Sequence, residues 1–119
     1  MSVSPEVVDF VALSLLPIGW CREAAARLRA GVCAAAALEQ LIAERRPSDR
    51  AAVDRLRADA VSALARARAC DLRPIVWSDP SYPPPLAAII DPPPVLWTRG
   101  APAAFETTAV AIVDRKSVV

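Results

Sequence analysis

Three features of the sequence predict an α+β chain: helical periodicity through residues 1–70, short β-like pieces after Leu72, and eight of the twelve prolines crowded between Pro74 and Pro94. The expected architecture is a small all-α N-terminal domain over residues 1–70, followed by the opening of an α/β domain over residues 71–113. The domain boundary falls near residues 70–74. At 119 residues and 55% hydrophobic content the chain is long and apolar enough for a packed core.

Each helix has its own signals. Ser4 can cap a helix that starts at Pro5, carries Val7, Val8, Val11 and Leu15 at helical spacing, and stops at Pro17. After the turn LPIGW, the segment CREAAARLRAG predicts a short Ala/Arg helix closed by Gly31. A third helix is expected over about Val32 to Arg46, with Leu38, Leu41 and Ile42 on one face, because Pro47 forbids its continuation. The fourth begins near Ser48: Val53, Leu56, Ala60, Leu64 and Ala67 recur at steps of three and four, while Arg50, Arg57 and Arg68 fall mostly off that stripe, on a solvated face.

Beyond Leu72 the strand-like pieces are Ile75 to Trp77, Val95 to Thr98 and Thr108 to Val113, expected to enter a parallel sheet. Every proline between them removes a backbone donor and fixes φ, so the region is a rigid wrapped connector. Pro84 and Pro85 suit a helix's first turn, with Leu86, Ile89 and Ile90 packing inward, and the triplet after Asp91 forces extended backbone into Val95-Leu96-Trp97.

Composition excludes several kinds of chemistry. Histidine is absent, which removes Ser/His and Cys/His nucleophile pairs and histidine metal sites. Cys21, Cys33 and Cys70 match no zinc or redox spacing and read as small buried hydrophobes, and Trp20, Trp77 and Trp97 read as packing residues. The apolar run from Val11 to Cys21 is broken by Pro17, short of the roughly 18 residues of a membrane span, and Glu6 and Asp9 stand where a signal peptide carries positive charge. A cytoplasmic chain without membrane, metal or cofactor is expected. The net charge of +1 lacks the footprint of a strongly basic nucleic-acid binder, although balance can hide a patch.

The order WSDPSYPPPL (Trp77 to Leu86), DPPPVLWTRG (Asp91 to Gly100), then VAIV (Val110 to Val113) resembles the opening of the bacterial DNA-processing protein A family, DprA or Smf. The motif positions are Tyr82, Pro83, Leu86, Asp91, Pro92, Pro93, Leu96 and Gly100. Upstream, LSLLPIGWCREAAARL (Leu13 to Leu28) is similar to the family's helical N-terminal domain, which is SAM-like or helix-hairpin-helix-like. The resemblance implies that residues 71–113 begin a Rossmann-like domain. It also implies a protein without catalytic turnover that binds and protects incoming single-stranded DNA and helps load the RecA recombinase in natural transformation. In helix-hairpin-helix turns, backbone N–H groups beside glycine meet phosphates, which makes Gly19 and the neighbouring Arg22 the DNA-contact candidates in this chain. With so few arginines and no evident stacking platform, this fragment is expected to bind DNA weakly.

In the family, a Gly-Ser/Thr-Arg loop follows the VAIV strand, whereas this chain reads Asp114-Arg115-Lys116-Ser117. Lys116 is the sole lysine, and residues 114–119 written back as GAT CGG AAG AGC GTC GTG match a common sequencing-adapter sequence. Those residues read as a non-native tail on a truncated gene. Two other readings stand beside this one: a helical protein-interaction module over residues 1–70, and a fragment of a nucleotide-binding Rossmann enzyme, which would lack G-x-G-x-x-G.

Overall fold

A computed structural model describes residues 4–99. It shows a small helix-dominated α+β fold with α1 (Pro5–Ser14), a 3-10 turn at Ile18–Trp20, α2 (Cys21–Arg29), α3 (Ala34–Arg45), α4 (Ala52–Ala69), β1 (Arg73–Val76), α5 (Pro84–Ala87) and β2 (Val95–Thr98). The expected strand at Thr108 to Val113 and the motif position Gly100 lie outside the described residues.

Local chemistry explains most of the boundaries. Ser4 takes the N-cap backbone conformation and Pro5 opens α1, but the Ser4 side chain makes no capping bond, so the fixed φ of Pro5 is what favours the start there. Gly31 ends α2 at φ 93, with Val32 N–H donating to Arg27 C=O at 3.0 Å and Gly31 N–H to Leu28 C=O at 3.1 Å, the paired bonds of a Schellman cap. Asp71 closes α4 in the same way at φ 61, with Leu72 N–H on Ala67 C=O at 2.8 Å. An aspartate replaces glycine there because its short polar side chain tolerates the left-handed region. α4 starts at Ala52 rather than near Ser48, since Asp49 N–H bonds Arg46 C=O and Ala52 N–H bonds Asp49 C=O, turns that occupy the intervening backbone.

Leu13, Leu38, Leu41 and Val11 are the largest fully buried side chains and form the centre of the α1, α3 and α4 packing. Burial of a leucine of this kind contributes about 1.5–3 kcal/mol. Arg57 of α4 donates Nε–H to Asp9 Oδ1 at 2.8 Å, which gives the one buried carboxylate of α1 a cationic partner.

β1 and β2 pair antiparallel, Ile75 opposite Leu96 and Val76 opposite Val95, where a parallel arrangement was expected from the α/β reading. The reason lies in the connector. Its proline triplets confine α5 to four residues, too short to carry the chain back for a parallel crossover. The connector instead folds on itself, with Trp77 N–H donating to Pro94 C=O at 2.9 Å just beyond the ladder. Among the described residues both strands are edges, so Pro74 fits within β1.

The sheet is covered on both faces. Val76 and Val95 enter the same apolar cluster as Phe10, Leu13 and Leu38, while Ile75 packs with Tyr82 and Leu86 from the α5 side, with Leu96 against them. This packing crosses residues 70–74, so the sheet and the helices share a core.

Candidate functional site

The connector is a built joint, held by two side-chain clamps. Tyr82 is 4% exposed and its hydroxyl donates to Pro93 C=O at 2.7 Å, tying the first proline run to the second. Asp79 prepares the approach by accepting Ser81 N–H at 2.8 Å and, through its carbonyl, Tyr82 N–H at 2.9 Å. The second clamp comes from α2: Arg29 donates to Ala87 C=O at 2.8 Å, to Ile90 C=O at 3.4 Å and to Ile89 C=O. A guanidinium thus satisfies carbonyls that the single turn of α5 leaves open.

Of the motif residues, Tyr82, Pro83, Leu86 and Pro92 are buried, Pro93 and Leu96 are half-buried, and Asp91 is exposed. Ile89 and Ile90, expected to pack inward with Leu86, are exposed at 43% and 57%. The helix ends at Ala87, and beyond it the chain leaves the face that Leu86 buries.

Burial pushes the Tyr82 phenol well above its ordinary range, against a smaller opposing effect of the Arg29 charge. The neutral phenol is the form the fold accepts, so its contribution to stability is intact below pH of about 10 and falls as pH rises beyond that, where the unfolded chain ionises first. Tyr82 is the only tyrosine, so tyrosinate absorbance reports it alone. The alkaline absorbance transition is expected to coincide with loss of far-ultraviolet circular dichroism; ionisation at the free-phenol value in a folded chain would contradict the burial. Tyr82→Phe should cost about 1 kcal/mol at neutral pH. Arg29→Ala should cost about 1–2 kcal/mol in urea unfolding by stranding the α5 carbonyls, with Arg29→Lys recovering part of it.

The other candidate region is the turn between α1 and α2. Gly19 lies in the 3-10 turn, exposed, and a Cβ added there would meet nothing within 4 Å, so close backbone packing does not require glycine. Arg22 is exposed in the first turn of α2 and makes no ion pair among the described residues. Between them Trp20 is half-buried, with the Arg45 and Arg46 guanidinium carbons each 5.2 Å from its ring centroid. Arg45 also pairs with Glu23, and Arg27 with Glu44 at 2.7 Å, so acidic partners neutralise much of this face.

A cleft of about 490 Å³ lies where α1, the turn before α3 and the end of β1 meet, lined by Glu6, Asp9, Phe10, Val32, Cys33 and Trp77. Ser78 Oγ donates to Glu6 at 2.8 Å across its rim, and the buried Trp77 Nε1 has no acceptor among the described residues. Cys33 and Cys70 are exposed and Cys21 half-buried, so the cysteines are not the buried hydrophobes expected from their spacing. Trp97 also departs from a packing role, with 37% of its surface exposed. Among the described residues no group of three or more His, Cys, Asp or Glu side chains could hold a metal ion, and no helix is long and apolar enough to cross a membrane.

The Arg29 clamp, the Trp20 stack and the exposed Trp97 have no counterpart in the sequence reading. Arg29 reaches residues 58 to 61 positions away, a separation that carries no local signal. Comparison of the chain with protein-family models, with curated proteins and with solved structures gave no match.

Proposed function

We propose that this chain is the N-terminal part of a DNA-processing protein of the DprA/Smf type, a cytoplasmic protein without catalytic turnover that binds and protects incoming single-stranded DNA and helps load RecA. The observation that carries the reading is the pair of proline motifs, WSDPSYPPPL and DPPPVLWTRG, at their spacing ahead of VAIV. Their geometry supports it: the Tyr82 hydroxyl on Pro93 C=O turns two separate motifs into one joint. On this reading residues 1–70 are the helical N-terminal domain, residues 71–113 begin the Rossmann-like domain, residues 114–119 are non-native, and no residue of that tail belongs to a DNA pocket.

Sequencing the genomic locus through the codon for Val113 tests the proposal. A continuation into Gly-Ser/Thr-Arg and a further α/β domain is the expected result, and the protein so completed should accelerate RecA assembly on single-stranded DNA. A locus with the same Asp114 codons and a genuine stop would overturn it in favour of a helical interaction module, and G-x-G-x-x-G would overturn it in favour of a nucleotide-binding enzyme.

A further inference from the structure

The six ion pairs among the described residues engage Arg27, Arg45, Arg55 and Arg57. A second set of arginines is gathered elsewhere by the topology. Arg66 and Arg68 occupy the last turn of α4, Arg73 opens β1 and Arg99 follows β2, so the antiparallel register brings all four to one end of the fold. Asp71 is the only acidic residue in the segments 63–73 and 95–99 that build this end. None of the four arginines forms an ion pair among the described residues. Arg99 is anchored by donating to Cys70 C=O at 2.9 Å. With four arginines facing one aspartate here and only +1 on the whole chain, the rest of the molecule is net negative. A near-neutral total thus conceals a polarised surface.

The same end carries an aromatic face. Trp97 lines a groove of about 280 Å³ with Leu15, Ala63, Arg66, Cys70 and Leu72, and both Trp97 and Leu15 are more than a third exposed. Trp97 sits on the sheet face of Val95, opposite Pro74, while the α5 cluster occupies the other face, so no part of the connector covers it. An exposed indole beside uncompensated guanidinium groups matches how proteins bind single-stranded nucleic acid, with bases stacking on the ring and arginines tracking the phosphates. An acidic peptide would use the charge but leave the ring without a planar partner.

We propose that the Trp97 groove, lined by Arg66 and bordered by Arg99, is a binding site for single-stranded nucleic acid. The choice of a single strand as occupant rests on the DNA-processing reading above, while the site itself rests on charge and geometry. Every nucleobase has a π-face, so binding should be largely indifferent to base sequence. The site differs from the Gly19/Arg22 turn, near which Glu23 and Glu44 offset Arg45 and Arg27.

The test uses the whole chain and a fluorescein-labelled oligothymidylate of about 15 nucleotides, within the span of known single-strand sites. Low-salt anisotropy should show binding, with a slope of log K against log salt of about −1.4 for two arginines on a single strand. Trp97→Ala should weaken binding about tenfold and Trp97→Phe much less, since a phenyl ring still stacks. Arg66→Glu with Arg99→Glu should weaken it at least tenfold and flatten the salt slope, whereas Arg50→Glu, exposed ahead of α4, should leave both unchanged, circular dichroism confirming that each variant is folded. Equal affinity of wild type and a folded Trp97→Ala variant would overturn the proposal. So would the absence of binding at low salt, equal affinity for a duplex of the same length, or polyglutamate displacing the strand as well as unlabelled oligothymidylate does. Failure of the DNA-processing reading is a different result, a locus lacking Gly-Ser/Thr-Arg, and leaves these binding outcomes to be read independently.

Discussion

Leu38→Ala is expected to lower the free energy of unfolding by about 2–5 kcal/mol, through lost transfer energy plus the cavity left behind. Leu38 is 0% exposed and lies in the cluster where α1, α3 and α4 meet, flanked by the equally buried Leu41 and Val11, so neighbouring backbones have little freedom to collapse into the space. For a domain whose total stability is about 5–15 kcal/mol, this is a large share of the whole. Urea unfolding followed by circular dichroism measures the change. Leu38→Met, close in volume, should cost less than about 1.5 kcal/mol. A cost below 1 kcal/mol for Leu38→Ala would mean that the three helices are not packed as described.

Arg57→Ala is expected to cost about 2–3 kcal/mol, more than an exposed ion pair contributes, because it strands the Asp9 carboxylate. Asp9 is 7% exposed, and its Oδ1 accepts Arg57 Nε–H at 2.8 Å. The weaker 3.4 Å contact from Arg57 to Glu39 is at the surface and adds little. Replacing both residues, Asp9→Leu with Arg57→Met, should recover most of the loss, since neither charge then remains buried alone. Arg57→Met alone as stable as the unchanged protein would show that Arg57 acts through packing of its aliphatic stem rather than through the pair.

The helical part was legible because its signals are local. Pro5, Pro17, Gly31 and Pro47 mark boundaries through backbone sterics alone, and the spacing of Leu38, Leu41 and Ile42 identifies the buried face of α3. The position of the one-turn helix at Pro84–Ala87 was legible for the same reason. Where a long-range partner decides, the reading stopped. Ile89 and Ile90 have the pattern of buried residues, but α5 ends before them and Arg29 from another helix holds their carbonyls. Trp20 and Trp97 are alike as letters, yet one lies against two arginines and the other stands open above a groove. The candidate site is of this second kind, because Arg66 of α4 meets Trp97 and Arg99 at the end of β2 only in space.

By itself the sequence determined which segments are helical, that prolines fix the backbone of the connector and that histidine chemistry is absent. Each of these depends on steric or compositional facts that a residue carries within a few positions of itself. Only the tertiary structure decided that the strands run antiparallel, that Val76 and Val95 join the helical core, that Tyr82 and Arg29 clamp the connector, and that a chain of charge +1 places four arginines and an exposed tryptophan at one end. The physical reason is that pairing, burial and electrostatic potential depend on distances in space, and chain folding sets those distances between residues whose separation in sequence carries no local signal of contact.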